Sequence, residues 1–175
     1  MVPVRTLHEL AVEAGRALVE RGWQVCVAES CTGGGLAEAL TSPPGSSAWF
    51  DRGYVVYSNR AKTELLGVRE RTLATAGAVS EAVVREMAEG ALARSACAVA
   101  LALSGVAGPG GGSEAKPVGT VCMALASPGP PGGGPAVRAS TTRYEGDRGE
   151  VRDAAVRGAL RALLEIAAPA PVSPE

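Results

Sequence analysis

Apolar residues recur at Leu7, Leu10, Ala11, Ala14, Leu18 and Val19, three or four positions apart. A helix gathers all six on one face, so the spacing predicts an amphipathic helix over 6–21, with Thr6 as cap and Gly22 as stop. Residues 23–28 form a short apolar run and read as a buried strand. The stretch 29–35 turns into a helix over 34–41, and 42–47 is a Ser/Pro/Gly loop. A Val- and Tyr-rich strand is expected over 53–57, then a short helix over 59–66 that Asn59 can cap and Gly67 ends. Ser80 suits the cap of a helix reaching about residue 96, with Glu81 in its first turn. Residues 98–104 are almost wholly apolar, as in a central strand. A glycine-rich loop over 105–117, a strand over 118–126, a Pro/Gly connector over 127–135 and a half-exposed strand over 136–144 follow. Asp147 fits the cap of a last amphipathic helix ending at Ala167. Helices separate the first strands, whereas the last three succeed one another directly. That order predicts a three-layer α/β/α sandwich around one mixed β-sheet, with ligands bound beyond the strand ends. Residues 1–168 read as one domain and 169–175 as a frayed tail.

Composition sharpens this picture in four ways. The 175 residues include one Phe, two Trp and three Tyr, so the core must be built from Ala, Val and Leu. The formal net charge of −1 argues against a nucleic-acid partner, which a basic excess would signal. No apolar run approaches the ~20 residues of a membrane span, and the charged N-terminal helix is unlike a signal peptide. The four cysteines at 26, 31, 97 and 122 lack Cys-x-x-Cys spacing, which is simplest for a chain of the reducing cytoplasm.

The rarest residues narrow the chemistry. His8 is the single histidine and is expected on a solvated helix face. A zinc site with two or three histidines from one chain is excluded. Of 17 basic residues only Lys62 and Lys116 are lysines. A chain that otherwise uses Arg can retain Lys where a nitrogen must lose its proton, which Arg cannot do. The bland alternative is two solvated side chains.

Four segments carry candidate chemistry. In Glu29-Ser-Cys-Thr-Gly-Gly-Gly35 a hydroxyl sits on a strand-to-helix turn, where backbone N–H groups converge to hold an oxyanion or a phosphate. An ordinary helix cap would use similar residues, and the Gly-x-Ser-x-Gly elbow is absent. In Tyr57-Ser-Asn-Arg-Ala-Lys62 the lysine falls on the first helical turn, where a desolvated amine could act as base for Ser30. Snorkelling along a surface helix is the alternative. The loop from Ser104 to Ser113 lacks the Walker lysine and the Gly-x-Gly-x-x-Gly spacing, so neither an ATPase nor a Rossmann dehydrogenase is supported. Arg148 can meet a phosphate or pair with Glu145. Cys31 is a rival nucleophile, inert unless its pKa is lowered.

Taken in order, Glu29–Gly34, Asp51–Asn59 with Lys62, Gly77–Ser80, Gly105–Gly112, Lys116–Thr120 and Gly146–Arg148 resemble the CinA C-terminal domain family over nearly the whole chain. Enzymatic members of that family are nicotinamide-nucleotide amidases. The resemblance implies deamidation of nicotinamide mononucleotide to nicotinate mononucleotide and ammonia, without metal or cofactor. It implies Ser30 as nucleophile and Lys62 as base. Cys31, Thr32 and Gly33 would supply oxyanion or phosphate donors, and Tyr57, Asn59, Ser104, Gly105, Ala107 and Arg148 would bind the pyridine nucleotide. Compared with the family, Ser104 stands where Thr is frequent and Gly35 where a larger apolar residue is common. A homo-oligomer is also implied, with Trp49 and Phe50 expected at the subunit contact. The rival readings are a non-catalytic nucleotide-binding or regulatory module, related to competence or DNA damage, and an amidase for another small amide.

Overall fold

The α1 helix (Leu7–Glu20) begins where its cap dictates. Thr6 accepts from the Glu9 N–H, and the Glu9 carboxylate accepts from the Thr6 N–H, a reciprocal pair that satisfies two otherwise unpaired donors. The structure, a computed structural model, describes residues 5–168. The expected tail at 169–175 lies outside the described residues.

Five strands form one mixed sheet in the order β2-β1-β3-β4-β5. They are β1 (Val25–Glu29), β2 (Phe50–Val55), β3 (Val99–Gly105), β4 (Thr120–Ser127) and β5 (Ala136–Arg143). The β1 strand pairs in parallel with β2 and β3, while β3–β4 and β4–β5 pair antiparallel. The parallel pairs need crossovers, supplied by α2 (Gly35–Thr41) and by α3 (Asn59–Leu66), α4 (Glu70–Ala76) and α5 (Glu81–Ala93). The α6 helix (Arg148–Ala167) closes the chain behind an Asp147–Glu150 capping box.

The strand period of two sorts the core onto two faces. Val25, Val27, Val99, Leu101, Leu103, Val121 and Leu125 pack with α1, α2 and α6. Cys26, Ala28, Ala100, Ala102, Cys122, Ala124 and Ala126 pack with α3 and α5. The buried strand residues of that second face are all Ala or Cys, so α5 lies close to the sheet. The three-layer expectation is met.

Several boundaries differ from the sequence reading. The β1 strand starts at Val25 rather than at Trp23, and β2 starts at Phe50 rather than at Gly53. The α4 helix was not expected. Trp49, expected at a subunit contact, packs into the chain's own core: it is 8% exposed, and its Nε1 donates to Leu40 O at 3.0 Å. Its ring fills the space beside Gly15, where any Cβ would come within 2.6 Å of it. Phe50 is half-buried and packs against the same core. No described helix is long and apolar enough to cross a membrane.

Candidate active site

The site forms where β1 and β3 end side by side. The ladder runs one residue past β1 on both edges: Ser30 N–H donates to Leu103 O at 2.9 Å, and Val56 N–H donates to Glu29 O at 2.8 Å. Ser30 is thereby held between Ser104 and Val56.

The turn after Ser30 is shaped by Glu29. This side chain is fully buried at the end of an apolar strand. Its carboxylate accepts N–H bonds from Gly34 (3.1 Å), Leu36 (3.0 Å) and Ala37 (2.8 Å). A carboxylate at a helix N-terminus is favoured by the free N–H groups and the helix dipole. The turn also needs positive φ at Gly33 (59°) and Gly34 (99°), which Gly adopts without a Cβ clash. Glu29 was not among the expected site residues. Its signal was available: a lone carboxylate ending an otherwise apolar strand.

Opposite the turn stands Lys62, in the first turn of α3. Ser58, rather than Asn59, caps this helix: its Oγ accepts from Ala61 N–H at 3.0 Å. Lys62 is 1% exposed, so it does not snorkel. Its Nζ lies 3.1 Å from Ser30 Oγ, 2.9 Å from Val56 O and 3.2 Å from Tyr57 O. Burial lowers its pKa from 10.5, partly offset by the neighbouring Cys31. A neutral amine has two N–H donors and one lone pair. In that neutral form the two carbonyls would take the donors, leaving the lone pair for the Ser30 hydroxyl.

Cys31 sits beside Ser30 but is poorly suited to replace it. Burial pushes its thiol up to about 11, so at neutral pH it carries its proton. All four cysteines are free.

A cavity of about 300 Å³ opens over Ser30 and Lys62. Of the candidate residues, Cys31, Tyr57, Asn59, Ser104, Gly105, Ala107 and Arg148 line it. Ala78, Val79, Val106 and Gly108 join them from the α4–α5 connection and the glycine-rich loop, and were not expected. Ser104 Oγ donates to Ala78 O at 2.9 Å, fixing that wall. Arg148 does not pair with Glu145. Its guanidinium donates to Gly108 O at 2.8 Å and to Tyr57 Oη at 3.0 Å, joining the loop to the β2–α3 corner.

Two expected residues fall elsewhere. Gly33 N–H is spent inside the turn on Ser30 O at 3.0 Å. Thr32 is fully buried and lines a different cavity, with Gly35, His8 and Arg152. Of the expected backbone donors, Cys31 N–H belongs to a residue that lines the Ser30 cavity and has no acceptor among the described residues. Among the described residues, no three His, Cys, Asp or Glu side chains cluster as a metal site requires.

Comparison with known proteins identifies the family. The model of the CinA C-terminal domain matches residues 7–167. Nicotinamide-nucleotide amidohydrolase PncC of Enterobacter agglomerans is 54% identical over 162 residues, covering 92% of this chain and 96% of that protein. The protein of the same name from Escherichia coli (strain K12) is 52% identical over 162 residues, covering 91% and 93%. Among solved structures, the competence damage-inducible protein A from Klebsiella pneumoniae superposes with a TM-score of 0.86 at 44% identity, covering 92% of this chain and 96% of that one. The chain belongs to the CinA C-terminal domain family.

Proposed function

We propose that this chain is an amidase that converts nicotinamide mononucleotide to nicotinate mononucleotide and ammonia through a Ser30–Lys62 dyad. The relatives' names supply the substrate class. The observation that carries the chemistry is the buried Lys62 Nζ at 3.1 Å from Ser30 Oγ, with two backbone carbonyls occupying its other positions.

The reaction divides into two halves. Neutral Lys62 takes the Ser30 proton as Oγ attacks the carboxamide carbon. The oxyanion is met by Cys31 N–H. The C–N bond then breaks, and Lys62 gives its proton to the departing nitrogen, releasing ammonia and leaving an ester on Ser30. Water attacks that ester with Lys62 again accepting a proton. The acid leaves as Lys62 returns the proton to Ser30 Oγ. Atoms and charge balance over the two halves, and no redox step is involved. Arg148 and Lys62 are the cationic side chains of the cavity lining. Lys62 is committed to Ser30, so Arg148 is assigned to the nucleotide phosphate, with Tyr57 and Asn59 beside it. Four free thiols fit a reducing compartment, and the reaction is read as cytoplasmic recycling of pyridine nucleotides.

The test is ammonia release from nicotinamide mononucleotide in the presence of chelator. The expected result is release by the wild type, none above background by Ser30→Ala, and a loss on the order of 10²–10⁴-fold in Lys62→Ala, the usual worth of a general base. Lys62→Arg should be equally inactive, because a guanidinium keeps its proton. Near-normal turnover by either Ser30→Ala or Lys62→Arg would eliminate the dyad. Folded wild type that binds the nucleotide without releasing ammonia would point instead to a binding module.

A further inference from the structure

Lys116, the second of the chain's two lysines, takes no part in the Ser30–Lys62 chemistry and does not line the Ser30 cavity. Its backbone is fixed by a tight turn at the foot of the glycine-rich loop, where Ser113 N–H donates to Lys116 O at 2.9 Å and Lys116 N–H donates to Ser113 O at 3.1 Å. Its side chain leaves that loop and crosses to the α4–α5 connection, where Nζ donates to Ala76 O at 2.7 Å. It forms no salt bridge among the described residues. An ammonium on a carbonyl makes a short, charge-assisted bond.

The connection depends on such bonds. Residues 77–79 belong to no helix or strand, yet Ala78 and Val79 form a wall of the Ser30 cavity. Three successive carbonyls there each accept from a side chain: Ala76 O from Lys116, Gly77 O from Ser80 Oγ at 2.8 Å, and Ala78 O from Ser104 Oγ at 2.9 Å. Ser80 lies at the end of the same segment and shapes it from within. Lys116 and Ser104 reach it from elsewhere, so they decide where the wall stands. Ser104 ties it to the end of β3, and Lys116 ties it to the glycine-rich loop, whose Gly105, Ala107 and Gly110 line the same cavity.

The residue type fits the place. Gly77 has a φ of 75°, and a Cβ there would lie 3.4 Å from Lys116 Nζ. The amine passes close over bare backbone, where a compact donor is accommodated and a broad, planar guanidinium would be crowded. This accounts for a second lysine in a chain that otherwise uses Arg.

We propose that Lys116 is a positioning residue for nucleotide binding: it clamps the α4–α5 connection to the glycine-rich loop and so sets the width of the Ser30 cavity. It touches neither substrate nor dyad, so its loss loosens binding and leaves the chemical step intact. The inference rests on the reading of the Ser30 cavity as the nucleotide site.

Lys116→Met keeps the apolar stem and removes the donor. Its KM for nicotinamide mononucleotide, and its dissociation constant by calorimetry, are expected to rise about tenfold with kcat within about twofold of wild type, the signature of lost uniform binding. The rise should be the same at about 0.05 and 0.5 M salt, because the position of a wall is not screened. A rise that vanishes at high salt would overturn the clamp in favour of attraction between the ammonium and the phosphate at a distance. Unchanged KM with a lowered unfolding temperature would reduce the bond to a structural one and overturn it too, as would a loss confined to kcat. Where Lys116→Met fails to fold, Ser104→Ala frees Ala78 O of the same wall. It is expected to weaken binding about tenfold, and Ser104→Thr, which keeps the hydroxyl, to restore it; wild-type affinity in Ser104→Ala would overturn the proposal. The dissociation constant keeps this test apart from the amidase reading. Wild type that binds the nucleotide without releasing ammonia defeats the amidase and leaves the clamp to be judged from binding, whereas wild type that does not bind defeats both.

Discussion

Lys62 shows how much one side chain's environment decides. Exposed, its ammonium would be a solvated charge with no catalytic use. Buried beside Ser30, its pKa falls below the ordinary 10.5 because the charged form loses water. The pH dependence follows. Between the lowered folded value and 10.5, the unfolded chain still holds a proton that the folded chain has released. Stability therefore rises with pH across that window, and the penalty for burying the ammonium is complete below it. Lys62→Met removes this linkage, so its stability relative to wild type should decrease steadily as pH rises toward 10.5, as denaturant titrations at several pH values would report. In turnover, kcat/KM should climb with pH along a limb centred below 10.5, because only the neutral amine accepts the Ser30 proton. A flat profile across that range would contradict the role of Lys62 as base. Glu29 acts through geometry instead. In Glu29→Gln one amide nitrogen must face an N–H where an oxygen had accepted, so at least one of the three bonds to Gly34, Leu36 and Ala37 is lost. The expected cost is about 2 kcal/mol in urea unfolding, with reduced kcat from a displaced Ser30 turn. Lys62 was visible beforehand because lysine is so rare in this chain. Glu29 also left a signal, a lone carboxylate ending an apolar strand, but the backbone donors it holds are brought within reach only by the folded turn.

The α3 helix approaches its neighbour closely at one glycine. A Cβ on Gly90 of α5 would lie 2.0 Å from Leu66 O, at the end of α3. Gly90→Ala must therefore push the two helices apart. Overpacking of this kind costs about 1–3 kcal/mol, which thermal or urea unfolding would measure. Because α3 carries Lys62, kcat should fall as well, while Ser30→Ala leaves the α3–α5 spacing untouched. Regular elements were the easier ones to read. The α1 and α6 helices declare themselves by apolar spacing and by Thr6 and Asp147 at their caps. The α4 helix was illegible because seven residues present only Leu73 to the core, which is too few for a period. The β2 strand was placed three residues late because most of its side chains are exposed and do not alternate.

The arrangement of the sheet separates chemistry from tolerance. The strands β1 and β3 deliver their C-terminal ends to the site, and β4, running antiparallel, carries the chain away from it. The connector between β4 and β5 therefore lies at the far end of the sheet. Inserting three Gly/Ser residues between Gly132 and Gly133 should cost less than about 1 kcal/mol and leave kcat unchanged, since lengthening a surface loop adds little closure entropy. A large loss of activity would place that connector nearer the site than this topology does. Trp49 makes the complementary point. An aromatic pair beside a strand looked like a subunit contact, yet Trp49 fills the space over Gly15 within the same chain. Whether the homo-oligomer implied by the resemblance forms is a question for light scattering.

Residue identity alone determined the layered α/β architecture, because strand and helix periods and their order along the chain admit few arrangements. It also singled out Ser30 and Lys62, through a hydroxyl on a glycine-rich turn and a lysine in an arginine-rich chain. Tertiary structure alone decided what these residues face. Thr32 and Gly33 adjoin Ser30 in sequence, but the tight turn directs one into a separate cavity and spends the other's N–H on Ser30 O. Lys62 lies 32 positions away and is brought within 3.1 Å by the β1–β2 ladder and the packing of α3 on α5. Sequence neighbours share a backbone, but reactive groups meet only where strand ends and helix packing converge.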